Sequence, residues 1–263
     1  MTTSKPNNIK AKLTFLYIIL ALGLGAMGYF GFSLLQEMRI TNQSRALFQT
    51  TTVDIMPRNL VNTASPQAAP APAQPFVSFV DFDAKRTTFP NIVGWIQSEG
   101  TVINYPIVQA RDNDFYLNHL PDGTRNQIGS IFLDYRNNAD FSDHITIIYG
   151  HDMRSRDKFG SLRYYESQAY FDQHSTMFIF TPYQDYKLRI FAGYVLDSSY
   201  EVPPMSFANE EEFYGFIEMA KDRSLFTSDV EVSYDDRLMV LATCTPTGSQ
   251  DLRLVIIGIL TEI

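Results

Sequence analysis

The chain has 263 residues, 45 % of them hydrophobic, enough for one large domain or two modest ones. Its formal charge of −8 is unevenly spread: residues 1–39 carry four basic side chains and one acid, which leaves 17 basic against 28 acidic residues, or −11, for the rest. So acidic a body lacks the basic footprint that neutralises phosphates, which argues against nucleic-acid binding.

Lys5, Lys10 and Lys12 precede Leu13–Leu35, 23 residues without a charge. As a helix this stretch is about 35 Å long and crosses a hydrocarbon core of about 30 Å. It is longer than the apolar core of a cleavable signal peptide and runs directly into Ser33-Leu-Leu-Gln-Glu37. We therefore expect a single-pass anchor at 13–35, a cytoplasmic N-terminus at 1–12 and the bulk of the chain outside the cell. Residues 36–75 form a juxtamembrane segment and linker. Its last part, Ala64 to Pro75, is rich in Pro and Ala and cannot bury a core.

The remaining residues, 76–263, have the size of one domain. Strand-like runs occur at Asn91–Ile96, Thr101–Val108, Gly129–Asp134, His144–Tyr149, Met177–Thr181, Tyr186–Leu196, Arg237–Cys244 and Leu252–Leu260. Pro106 marks an edge or bulge in the second. Asn113 to Asn118 reads as a short helical turn. Many short strands punctuated by turns predict a closed barrel or sandwich. One helix interrupts them. Asn209 caps it, Glu212 completes a capping-box-like pattern, and Phe213, Phe216, Ile217 and Ala220 form its core-facing stripe.

Cys244 is the sole cysteine of the chain, so it has no intramolecular disulfide partner. It ends an apolar run and is delivered to the polar loop Thr245–Asp251, after which Arg253 opens the last run. If those runs pair as a hairpin, Cys244 and Arg253 fall at the same end of a sheet. An unperturbed thiol is only a few per cent thiolate at neutral pH, so a nucleophilic role needs an imidazole or a cation nearby. Of four histidines, His119 and His174 lie in polar, loop-like contexts and His144 precedes a strand. His151 leaves the end of Ile145–Tyr149 at what would be a barrel rim. Arg253 stays charged and suits donation to a carbonyl or an oxyanion. The bland alternatives are a buried free thiol, a structural histidine and a surface ion pair. No spacing of His, Cys, Asp or Glu reads as a metal-ligand set, and no cofactor is expected.

Val240-Leu-Ala-Thr-Cys244 resembles the TLxTC signature of sortases, with Val replacing the first Thr. Ile147-Ile-Tyr-Gly-His151 is similar to their histidine segment, and Arg253-Leu-Val-Ile-Ile to the arginine-bearing strand that follows. Tyr105-Pro-Ile-Val-Gln109, Asp112-Asn113, Tyr116-Leu117, the run Gly129–Arg136 and the helix after Asn209 resemble class B features in order and separation. The resemblance implies a mostly β fold, an eight-stranded sortase barrel with peripheral helices, the class B helix lying between the sixth and seventh strands. It implies a cysteine transpeptidase. Cys244 would attack the carbonyl of a Thr in a C-terminal sorting signal, His151 would serve as acid and base, and Arg253 would hold the oxyanion. The partners implied are secreted proteins bearing that signal, and an amine from a peptidoglycan precursor or another protein as acceptor. Asn113, Leu117, Tyr200, Ala242 and Thr243 match substrate-groove positions, with Ala242 where a polar residue is common. The rival readings are a cysteine hydrolase, in which water resolves the thioester, and a non-catalytic tethered scaffold.

Overall fold

Met239 and Leu241 belong to one buried cluster, while Leu238, Val240 and Ala242 belong to another. That alternation, the period of two of an extended chain, makes Arg237–Cys244 a strand buried on both faces. The computed structural model describes residues 8–49, 78–152, 156–197, 204–244 and 252–263. They divide into two compact units, Met1–Leu47 and Phe48–Ile263. The first contains most of helix α1, Asn8–Gln49, of which Lys12–Gln36 is long and apolar enough to cross a membrane.

The second unit opens on the short helix α2, Phe82–Arg86, and holds eight strands: β1 Ile92–Gln97, β2 Asn104–Val108, β3 Ile131–Leu133, β4 Ile145–His151, β5 Thr176–Phe180, β6 Tyr186–Asp197, β7 Arg237–Cys244 and β8 Leu252–Glu262. They close into a barrel in the order β1-β2-β3-β4-β7-β8-β6-β5. Each overlaps a segment that the sequence marks as strand-like. Closure removes every free sheet edge, the usual hazard of an all-β fold. Neighbours are antiparallel except for β2 with β3 and β4 with β7. Pro106, which has no N–H to give a ladder, lies where β2 has only β1 beside it; pairing to β3 begins at Ile107.

The lumen is filled from all eight strands, for example by Ile96, Ile107, Leu133, Ile148, Ile179, Leu188, Leu241 and Ile256. Phe159, Leu162 and Tyr165 join this cluster from a 3₁₀ segment, Phe159–Glu166, that precedes helix α3, Gln168–His174. Neither element is marked in the sequence. A second apolar layer covers the outer face of β4, β7 and β8. Helix α4, Glu210–Asp222, seals it with Phe213, Ile217 and Ala220, and it lies between β6 and β7 as expected. Asn209 accepts the Glu212 backbone N–H at 2.9 Å. The reciprocal bond differs from a standard capping box: Glu212 Oε2 accepts from Ala208 N at 2.7 Å, one residue before the cap. His144, before β4, stacks on Phe213 at 5.6 Å and bonds the Tyr234 carbonyl, so it anchors this layer.

At the pole where β5 ends and β6 begins, buried Asp185 collects the start of the domain. Its carboxylate accepts from Ser78 Oγ at 2.6 Å, from Phe79 N at 3.0 Å and from Thr181 N at 3.2 Å.

Candidate active site

The site lies at the opposite pole, because β4 and β7 run parallel and end together. His151 and Cys244 are direct register partners across this pair. Their strands are therefore about 4.8 Å apart at the rim. On the other side of β7, the antiparallel register with β8 runs to Ala242↔Val255. Two further steps bring position 244 opposite Arg253, and Leu254 N donating to Thr243 Oγ1 at 2.9 Å carries the approach of the strands past that pair. The thiol-bearing position is thus flanked by the imidazole strand and the guanidinium strand.

Strand parity decides which face the three share. Tyr149, Ala242 and Val255 all belong to the outer layer, and positions 151, 244 and 253 each lie two residues further along the same face. His151 and Arg253 therefore lie on the outer face of the sheet at its rim, and position 244 falls at the same end, on the strand between theirs.

His151 is held firmly at the end of β4. It is 8 % exposed, and its Nε2 lies 2.6 Å from the Leu117 carbonyl oxygen. A carbonyl accepts only, so Nε2 must be the donor, which leaves Nδ1 as the nitrogen that takes and gives a proton. Gly129 walls the ring. Its φ is +63°, and a Cβ there would lie 2.6 Å from His151 Cδ2 and 2.6 Å from the Leu117 oxygen. The segment carrying Gly129 is tied to the Tyr116–His119 turn by Ser130 N donating to Tyr116 O and Ser130 Oγ donating to His119 O. Burial pulls the imidazole pKa below its ordinary value; the bond to Leu117 opposes that, and the charge of Lys158 adds to it. Arg253 is half-buried, and its Nε is buried without a hydrogen-bond partner among the described residues. Such a donor normally finds an acceptor.

No family model matches the chain. Sortase B of Listeria monocytogenes is 37 % identical over 169 residues, 64 % of this chain and 69 % of that protein. The structure of a Staphylococcus aureus sortase B–substrate complex superposes with a TM-score of 0.66 at 31 % identity, covering 69 % of this chain and 85 % of that one. A sortase B complexed with triglycine gives a TM-score of 0.64 at 31 % identity, over 69 % and 86 % of the two chains. The chain belongs to the sortase B family. It is a cysteine transpeptidase on the sortase barrel.

In this sortase the other expected groove residues are bound up in structure. The Asn113 amide donates to Asp134 Oδ2 at 3.1 Å and accepts from Tyr135 N at 3.0 Å. Asp134 is fully buried and also accepts from Arg136 and, at 3.1 Å, from Tyr149 Oη. Burial pushes its carboxyl up, but the Arg136 and Asn113 hydrogen bonds and the Arg136 charge outweigh that and hold it below the usual carboxylate range. Leu117 contributes its carbonyl to His151, while its side chain packs on the outer layer. Ala242 and Thr243 are buried, and the Thr243 hydroxyl serves the strand pairing. Tyr200 lies outside the described residues. In the sequence Gly129 stands out only as the start of a strand-like run that resembles a class B feature, and Lys158 is not singled out; the positive φ that a glycine permits was the one available hint to the first.

Proposed function

We propose that Cys244, His151 and Arg253 carry out the transpeptidation, and that they act on a C-terminal sorting signal at a threonine. The observation that carries this reading is the register: position 244 lies between His151 and Arg253 at one rim. The Cys244 thiol gives its proton to His151 Nδ1, and the thiolate attacks the threonine carbonyl carbon, forming a C–S bond and moving the carbonyl electrons onto oxygen. Arg253 donates to that oxyanion, its unpartnered Nε being a ready donor. As the tetrahedral carbon collapses, the C–N bond breaks and His151 Nδ1 gives its proton to the leaving amine. An incoming amine then loses a proton to Nδ1 and attacks the thioester, and the thiolate departs.

The acceptor is an amine of the cell wall or of another protein; the complex of a relative with triglycine supports an amino-terminal nucleophile. The loop Asn113–Leu117, whose Leu117 carbonyl holds His151, borders the groove, and Ala242 and Thr243 support it from the strand beneath. Domain boundaries follow the composition: anchor 13–35, linker 36–75 and catalytic domain 76–263. The apolar Lys12–Gln36 segment supports a membrane anchor, with the catalytic domain outside the cell.

The test incubates the full chain in detergent with candidate sorting peptides, with and without triglycine, and weighs the products. A ligated product with triglycine and slow hydrolysis without it is the expected result. Cys244→Ala should abolish both, and Arg253→Lys should lower kcat/KM by about 100-fold. Cleavage that survives Cys244→Ala would overturn the assignment.

A further inference from the structure

Lys158 is 1 % exposed, a rare place for an ammonium. It sits at φ +52°, just before the 3₁₀ segment that plugs the lumen. Its Nζ donates to the Ile128 carbonyl at 3.0 Å and to the Gly129 carbonyl, and its backbone N donates to Tyr105 Oη at 3.2 Å. Those two carbonyls belong to the wall of His151. Gly129 is thus held between two groups: the imidazole touches the side where a Cβ would stand, and the lysine holds its oxygen.

We infer that Lys158 is a positioning residue of the active site: its ammonium pins the 128–129 peptide against His151 and opposes a second positive charge on that ring. The inference rests on the proposed role of His151 as the proton carrier. A buried cation has little water to screen it, so its field reaches across one residue with more force than a surface lysine could exert. The other charged groups nearby are accounted for. Asp157 precedes Lys158 in the chain and favours its charged form. Asp152, paired to Lys158 by an isolated bridge, has its carboxylate taken by Arg163. Tyr149 Oη, from the same strand as His151, is turned to Asp134. Position 244 on β7 is the register partner of His151. Burial drives the Lys158 pKa down to about 7, and His151 is itself held below its ordinary value, so the ammonium keeps most of its charge on the acid side of neutrality, where the ring titrates.

The experiment follows the His151 ring signals of the full chain, with labelled histidine in detergent micelles, as pH is varied; His151→Gln assigns the resonance. In Lys158→Met and Lys158→Gln the titration midpoint of His151 should rise by about one pH unit, and in Lys158→Arg it should stay near the parent value. Lys158→Gln keeps a donor for the two carbonyls and serves as the folded reference. The limb of the kcat/KM profile that reports His151 should move with the midpoint. A His151 midpoint that stays put in a folded, charge-neutral variant overturns the inference. Because the midpoint is read without turnover, that failure is distinct from failure of the catalytic assignment, which would leave a shifted midpoint with an unmoved rate profile.

Discussion

Gly129 illustrates how much one hydrogen in place of a methyl group can matter. A Cβ there meets the His151 ring, the Leu117 oxygen and the Tyr116 oxygen, all within 2.7 Å, and two of these are backbone that cannot swing aside. The residue also holds φ +63°, which L side chains seldom adopt. Gly129→Ala should cost about 2 kcal/mol or more in urea unfolding, and it should lower kcat and raise KM, because it presses both on the His151 ring and on the Tyr116–Leu117 backbone of the proposed groove loop. Equal effects of Gly129→Ala on His151→Gln and parent enzymes would refute a route through the ring. At this scale the sequence was legible where chemistry is rare: a lone thiol, a histidine after an apolar strand and an arginine opening the next one. Gly129 and Lys158 were not legible. Gly129 meets a ring 22 positions away and Lys158 bonds two carbonyls 30 and 29 positions away, and no local pattern encodes either.

The strands were readable because β-branched and aromatic runs alternate between two apolar environments and end at turn residues. Pairing was not. The parallel alliance of β4 and β7, separated by β5, β6 and α4 in the chain, is what joins His151 to Cys244, and strand signals carry no information about partners. The segment from Phe159 to His174 also escaped, since its aromatics follow neither period and gain their burial from the lumen. The expected groove asparagine proves to be part of a network around Asp134, which fastens the turn after β3 to β4. Asp134→Ala strips acceptors from Arg136, Asn113 and Tyr149 and should cost about 2 kcal/mol; the exposure of Arg136 keeps the loss below that of a fully buried pair. The Asp134 carboxyl is held below its ordinary range, so its contribution is present above about pH 4 and disappears as the pH falls through its lowered value. The difference in stability between parent and Asp134→Ala, followed from pH 7 downward, should shrink accordingly.

Across the whole molecule, burying an ammonium carries a cost that pH reveals. The folded-state pKa of Lys158 lies near 7, far below the value of about 10.4 for a free lysine. Between these limits the unfolded chain binds the proton and the folded chain does not, so stability from this group rises with pH from about 7 to about 10 and is lost on the way down. Thermal unfolding of the parent should therefore gain on that of Lys158→Met as pH increases through this window. A constant gap between the two melting curves would show that the folded and unfolded chains bind this proton equally, so that burial does not lower the lysine pKa.

The barrel has a definite polarity. β6 runs from Asp185, where Ser78 and Phe79 are fastened, to Leu196 beside Arg253, about 35 Å along the strand. Any pull transmitted through the leading polypeptide is borne by the β5–β6 corner, a full strand's length from the reacting thiol. The molecule is gripped like a tool by its handle, and its working edge keeps its shape under load.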